Sequence, residues 1–201
     1  MKNLLSLLLI SLLGITALQA QDEKTMSSEP GKAYEAKDLD IQLGTSFGFY
    51  DYGYGLGTRS FTLPLTVSGE YGINDKFSVG AFLGYARWSY NYLSGSDYSY
   101  TFISYGVRGS FHYVPLLNEA FDFSIDEQKI DLYVTLMIGA ENRTFRYDGN
   151  DTGALNLDDD NQGIFSPVLG ARYLFNKNIG VFLEAGRGVY GYSTFGLLLK
   201  L

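Results

Sequence analysis

Ile130-Asp131-Leu132-Tyr133-Val134-Thr135-Leu136-Met137-Ile138-Gly139-Ala140-Glu141-Asn142-Arg143 is the stretch that decides the fold. Ile130, Leu132, Val134, Leu136, Ile138 and Ala140 share one face of an extended chain. Tyr133, Thr135, Met137, Gly139, Glu141 and Arg143 share the other. A period of two is the mark of a β-strand, whose side chains point alternately to opposite faces. Here one face is a continuous aliphatic band and the other mixes small residues with charges.

The same split recurs along the chain. Phe61, Leu63, Leu65 and Val67 oppose Ser60, Thr62, Thr66, Ser68 and Glu70. Leu169, Ala171 and Tyr173 oppose Ser166, Gly170 and Arg172. Val181, Leu183 and Ala185 oppose Gly180, Glu184 and Gly186, and Phe195, Leu197, Leu199 and Leu201 oppose Gly196, Leu198 and Lys200. Strand-like runs are expected near 40–51, 59–72, 76–91, 98–114, 129–146, 163–175, 178–188 and 192–201. Gly72-Ile73-Asn74-Asp75, residues 115–128 and Asn176-Lys177-Asn178 read as tight or compact connections. The intervening ones, 51–58, 92–97, 147–162 and 188–192, carry Gly, Asp, Ser and Tyr. Connections of alternating character, in an even number of strands, match a barrel with short turns at one end and surface loops at the other.

Alternation alone fits a soluble barrel with an apolar interior as well as a membrane barrel with an apolar exterior. Two features favour the membrane form. The polar face is rich in Gly and Ser, which suits a narrow lumen better than a solvated surface. Aromatics also gather at two levels: Tyr71, Tyr113, Tyr173 and Phe175 toward the turns, and Phe49, Tyr85, Phe145 and Phe165 toward the loops. Aromatic rings favour the two interfaces of a membrane. The fold class expected is all-β: an eight-stranded antiparallel up-and-down transmembrane β-barrel.

Composition agrees. The 201 residues include 17 Tyr, 14 Phe and 24 Gly but only 4 Pro and no Cys. Without Cys there is no disulfide, thiolate metal site or lipidation. A formal net charge of −7 argues against nucleic acid as a partner, because phosphate binding needs a basic patch. Lys2, the apolar run Leu4–Leu18 and Gln19-Ala20 before Gln21-Asp22-Glu23 read as a signal peptide over 1–20, cut after Ala20. Residues 21–38 read as a flexible periplasmic lead-in, and 39–201 as the barrel domain.

Gly106-Val-Arg-Gly-Ser-Phe-His-Tyr113, then Leu116-Leu117-Asn118 and Lys129-Ile-Asp-Leu-Tyr133 with Gly139, resembles the centre of small outer-membrane β-barrel domains of the Bacteroidetes type. Leu169-Gly-Ala-Arg-Tyr-Leu-Phe-Asn-Lys-Asn-Ile-Gly-Val-Phe-Leu-Glu-Ala-Gly186 and the ending Phe195-Gly-Leu-Leu-Leu-Lys-Leu201 resemble theirs as well. The resemblance covers residues 40–201 and implies an OmpA/OmpX-like barrel, a porin-family membership by name and no reaction. Such barrels often end in an aromatic that the insertion machinery reads; Leu201 stands there instead.

The polar face would enclose Glu70, Arg108, Glu141, Arg143, Arg172, Glu184 and Lys200. Unpaired charges in such a space are costly, so an internal ion-pair network plugging the lumen is expected. Glu70, Arg172 and Lys200, all near the turn end, could share a layer. The alternative is a small pore. His112, the one histidine, falls inward near the turn end and reads as a lumen side chain rather than a catalytic base. Residues 147–162 carry an acidic cluster, Asp148, Asp151, Asp158, Asp159 and Asp160. Asp148, Asn150, Gly153 and Asp159 fit only part of a calcium-loop pattern, because Thr152 and Asp159 stand at two ligand positions where that pattern differs. A solvated surface loop is the reading preferred.

The function expected is therefore a structural or surface-interaction protein of the bacterial outer membrane, not an enzyme, with no cofactor or metal. Its partners would be outer-membrane lipids and lipopolysaccharide, the insertion machinery and an unidentified extracellular ligand of the loops. A soluble lipocalin-like ligand-binding barrel is the third alternative, alongside the pore.

Overall fold

The computed structural model describes residues 31–49, 58–91, 97–148, 160–186 and 188–201. The expected signal peptide, residues 21–30 of the lead-in, and the loop positions Asp151, Asp158 and Asp159 lie outside the described residues, as do the side chains of Asp148 and Asp160. Eight antiparallel strands follow in order: β1 (Leu39–Phe49), β2 (Thr58–Asn74), β3 (Phe77–Asn91), β4 (Asp97–His112), β5 (Ile130–Asp148), β6 (Asp160–Leu174), β7 (Ile179–Gly186) and β8 (Gly191–Lys200). Each pairs with its neighbour in sequence and β8 returns to β1, closing the barrel. At the seam Leu39 and Leu201 exchange two backbone hydrogen bonds of 3.1 and 2.9 Å. Closure removes the unpaired edge that an open sheet would expose.

Two tight turns are made by one device. Asn74 Oδ1 accepts from the backbone of Lys76 and Phe77, each at 2.9 Å. Asn176 Oδ1 accepts from Asn178 and Ile179 at 2.9 and 2.8 Å. An asparagine that bonds to the backbone two or three residues on sets a reversal locally. The third turn-end connection holds the one described helix, α1 (Val114–Phe121), with Pro115 in its first turn and Asp122 left-handed at its end. Asn118 pins the return by bonding both backbone groups of Ile125 and the Glu127 carboxylate. The compact connection expected over 115–128 is only partly packed: Val114 before it is buried, whereas Leu116, Phe121 and Phe123 are exposed. No described helix is long and apolar enough to cross a membrane.

Polarity is inverted relative to a soluble barrel. Val107 and Leu197 are 60% exposed and Leu83 is 57% exposed, whereas Arg172 is 1% exposed and Glu70 is 2% exposed. An aliphatic exterior around a charged interior fits hydrocarbon outside, and it opposes the lipocalin-like alternative. Two expectations change at particular positions. A register shift at Pro64 reverses the alternation above it, so Thr62 pairs with the outward Arg87. Proline cannot donate to the ladder and is therefore placed at such irregularities. Phe145 also leaves the expected loop-side girdle: it is half-buried against Tyr100, ring centroids 5.0 Å apart. Tyr85 and Phe165 stay exposed, as do Tyr71, Tyr173 and Phe175 at the turn end.

The lead-in expectation fails over residues 31–38. Lys37 N donates to Gly72 O at 2.8 Å and Gly72 N to Asp38 O at 2.9 Å, extending the β1–β2 ladder past the strand. Ala33 and Tyr34 are buried, and Ala33 N donates to Glu127 O at 2.7 Å. Polar composition hid this, because the segment is held by scattered backbone hydrogen bonds and two buried side chains rather than by a periodic apolar face.

Candidate functional site

The enclosed side chains form two contrasting halves. In the turn-side half the Glu70 carboxylate meets three hydrogen-bond donors and a second guanidinium. Ser78 Oγ and Arg172 Nη2 reach Oε2 at 2.8 and 3.0 Å, and Ser110 Oγ reaches Oε1 at 3.0 Å. Arg108 Nε closes on Oε1 as an ion pair. Arg108 continues to Glu184 Oε1 at 2.6 Å, which also accepts from Tyr133 Oη at 3.0 Å. Arg172 continues to Asp40 Oδ2 at 2.7 Å, and its guanidinium lies 4.4 Å from the centre of the Tyr133 ring. Opposite charges in direct contact, most of them also hydrogen-bonded, are what allow ions to sit in a low-dielectric space.

Of the expected network, Glu70, Arg108, Arg172 and Glu184 therefore come together. Lys200 does not join Glu70 and Arg172. Its Nζ pairs with Asp38 at 2.8 Å and donates to the Lys32 carbonyl, tying β8 to the terminal segment. Glu141 and Arg143 stand apart toward the loops: Ser104 Oγ donates to Glu141 at 3.2 Å, Arg143 Nη2 is 3.8 Å away, and Arg143 lies over the Phe102 ring. Asp40, Gln42 and Asp131 belong to the network and were missed. The signal was available, since Asp131 shares the parity of Tyr133, and β1 alternates as Asp40, Gln42, Gly44, Ser46.

His112 is inward, as the alternation implies. Its Nδ1 lies 2.8 Å from Asp131 Oδ2 and its Nε2 3.0 Å from Ser78 Oγ. Those spacings match a serine hydrolase relay. The surroundings do not, because the Ser78 hydroxyl is directed to Glu70 and Tyr34 stacks on the imidazole, ring centroids 3.4 Å apart. Tyr34 Oη also lies 2.8 and 2.7 Å from the carbonyls of Asn74 and Phe77, so the terminal segment is fastened across the mouth.

Apart from Ser104, Glu141 and Arg143, the loop-side half is mainly aromatic and aliphatic. Phe82, Ala86, Trp88, Phe102, Met137 and Tyr190 form its buried cluster with Val189. Trp88 meets Phe102 edge-on at 4.6 Å. Inward glycines serve as sockets. A Cβ at Gly170 would sit 2.1 Å from the Tyr133 ring, one at Gly84 2.8 Å from Tyr190, and one at Gly44 2.6 Å from Phe182. The glycine-rich polar face is thus the complement of large aromatics opposite it, at native packing density.

A closed wall, apolar outside and filled with paired charges and aromatics inside, defines an eight-stranded transmembrane β-barrel. No family model matches the sequence, and no curated protein does. Among solved structures, the chain is similar to Ail, the attachment invasion locus protein of Yersinia pestis, crystallised with the heparin analogue sucrose octasulfate: 12% identity, TM-score 0.47, over 84% of this chain and 100% of that one. It is similar to the N-terminal β-barrel domain of OprF from Pseudomonas aeruginosa, at 12% identity and TM-score 0.44 over 84% and 100%. The outer membrane protein OprG of Pseudomonas aeruginosa gives 12% identity and TM-score 0.45 over 84% and 97%.

Proposed function

We propose that this protein is a bacterial outer-membrane barrel that holds its connecting loops at the cell surface, with a filled interior that does not conduct and no reaction of its own. The observation that carries this is the pairing of an exposed aliphatic wall with a lumen occupied in both halves, by the Glu70–Arg108–Arg172 network below and the Trp88–Phe102 cluster above. Eight strands leave an interior just wide enough for side chains, which supports a plug over a pore. Tyr34 over His112, and the Ser78 hydroxyl turned to Glu70, support a structural relay over a catalytic one. Outer-membrane lipids and lipopolysaccharide surround the wall, the insertion machinery delivers it, and the loops meet an extracellular ligand.

Two measurements test this. Cell fractionation with heat-dependent gel migration is expected to place a folded barrel in the outer-membrane fraction; a soluble, detergent-independent protein would overturn the location. In planar bilayers the expected trace is flat. Regular, ion-selective steps would replace the plug with a channel.

A further inference from the structure

We infer that the outer wall of β3–β5 carries a site for the phosphorylated headgroup of a glycolipid in the loop-side leaflet, built from Arg87 and Arg146 around Ser99. This rests on the membrane reading above and adds a specific contact to it.

The outward column of β3 runs Val79, Ala81, Leu83, Tyr85 and then Arg87. From Phe77 to Tyr85 the strand rises ~27 Å, or ~20 Å along the membrane normal at a tilt of ~40°. An apolar band of ~25 Å is thereby nearly used up at Tyr85. Arg87 is the next outward residue and stands at headgroup depth. On β5 the outward aliphatic column gives way to Asn142, Thr144 and then Arg146.

The register brings these two cations to one place. Arg87 lies opposite Thr101, Thr101 opposite Thr144, and Ser99 opposite Arg146. The arginines therefore flank β4, on strands ~10 Å apart, with hydroxyls between them. Arg87 Nη2 comes within 3.5 Å of Ser99 Oγ, and Ser99 is buried even though its position faces outward. Both arginines are exposed, and no ion pair joins either of them to a residue whose side chain is described. In a chain of net charge −7, two neighbouring exposed arginines at the rim of an apolar band are not a general surface feature.

Guanidinium forks match phosphate oxygens in pairs, and serine and threonine hydroxyls complete the shell. Each basic side chain at an anionic lipid surface contributes about a fivefold gain in binding, so the pair contributes roughly thirtyfold.

The test uses the full-length mature protein in phosphatidylcholine nanodiscs doped with lipid A or with dephosphorylated lipid A. Retained lipid is counted by native mass spectrometry after dilution into lipid-free detergent. The wild-type protein is expected to keep lipid A and shed the dephosphorylated form. The Arg87→Gln/Arg146→Gln protein is expected to bind lipid A roughly thirtyfold more weakly while still migrating as a heat-modifiable barrel. Equal retention of both lipids by the wild type overturns the site without any variant, and so does unchanged lipid A retention by a folded double variant. A wild-type protein that never enters the disc overturns the membrane reading itself, which the missing heat-modifiable band reports separately.

Discussion

The two halves of the lumen fill the same tube by opposite means. Toward the turns, Glu70, Arg108, Arg172, Glu184 and Asp40 lock into a lattice of directed bonds. Toward the loops, Phe82, Trp88, Phe102, Met137 and Tyr190 fill volume without directional demands. A charged layer tolerates almost no chemical change at constant shape, because its stability lies in exact pairing within a low dielectric. An apolar layer tolerates changes of chemistry that keep volume, because its stability lies in contact area. The charged layer also sits at the mouth that the terminal segment closes, where Tyr34 covers His112 and Lys200 grips Asp38.

The largest effect expected follows Glu70→Gln. The shape is kept, but two buried guanidiniums lose a shared carboxylate, and unfolding in urea from lipid vesicles should show a loss of about 3–5 kcal/mol. A loss below about 1 kcal/mol would erase the contrast between the halves. Gly170→Ala comes next: its methyl would enter the Tyr133 ring and push the phenol off Glu184, at about 1–3 kcal/mol in the same assay. Met137→Leu in the apolar half keeps volume and should cost under about 1.5 kcal/mol. If it matched Glu70→Gln, both halves would depend on exact fit and the distinction would fall.

The smallest effect concerns the clip on the terminal segment. The Asn118 amide donates to Glu127, and Lys32 lies 3.1 Å away; together they hold the Glu127 carboxyl below its usual value. A carboxyl with a depressed folded value contributes stability that is complete above its unfolded pKa, about 4.3, and is lost as pH falls through the folded value. The protection factor of the Ala33 amide, bonded to the Glu127 carbonyl, should therefore fall on acidification below about pH 4, once the intrinsic pH dependence of exchange is divided out. Lys32 is exposed and Glu127 only half-buried, so the change should be slight and weaker still in high salt. A flat exchange profile would separate the clip from the closure of the mouth.

Much of the barrel was legible residue by residue. Asn74 and Asn176 announced the tight turns, and unbroken alternation over β5 announced its two faces. Phe145 was misplaced because an aromatic near a strand end suits a girdle by composition while its odd-numbered position points inward. Tyr34 was passed over because one aromatic in a polar segment carries no period. The register sets Lys200 opposite Asp40 and Asp40 opposite Glu70, yet the Lys200 ammonium pairs with Asp38, since parity locates a face but not which carboxylate a long side chain reaches.

By itself the sequence determined the strand period, the number of strands and which residues share a face, because those follow from local backbone geometry. Only the tertiary structure decided that Glu70 collects Arg108 and Arg172, that inward glycines are sockets for Tyr133 and Tyr190, and that residues 31–38 cross the mouth. Those contacts join strands far apart in the chain, and their register depends on how the sheet staggers as it closes.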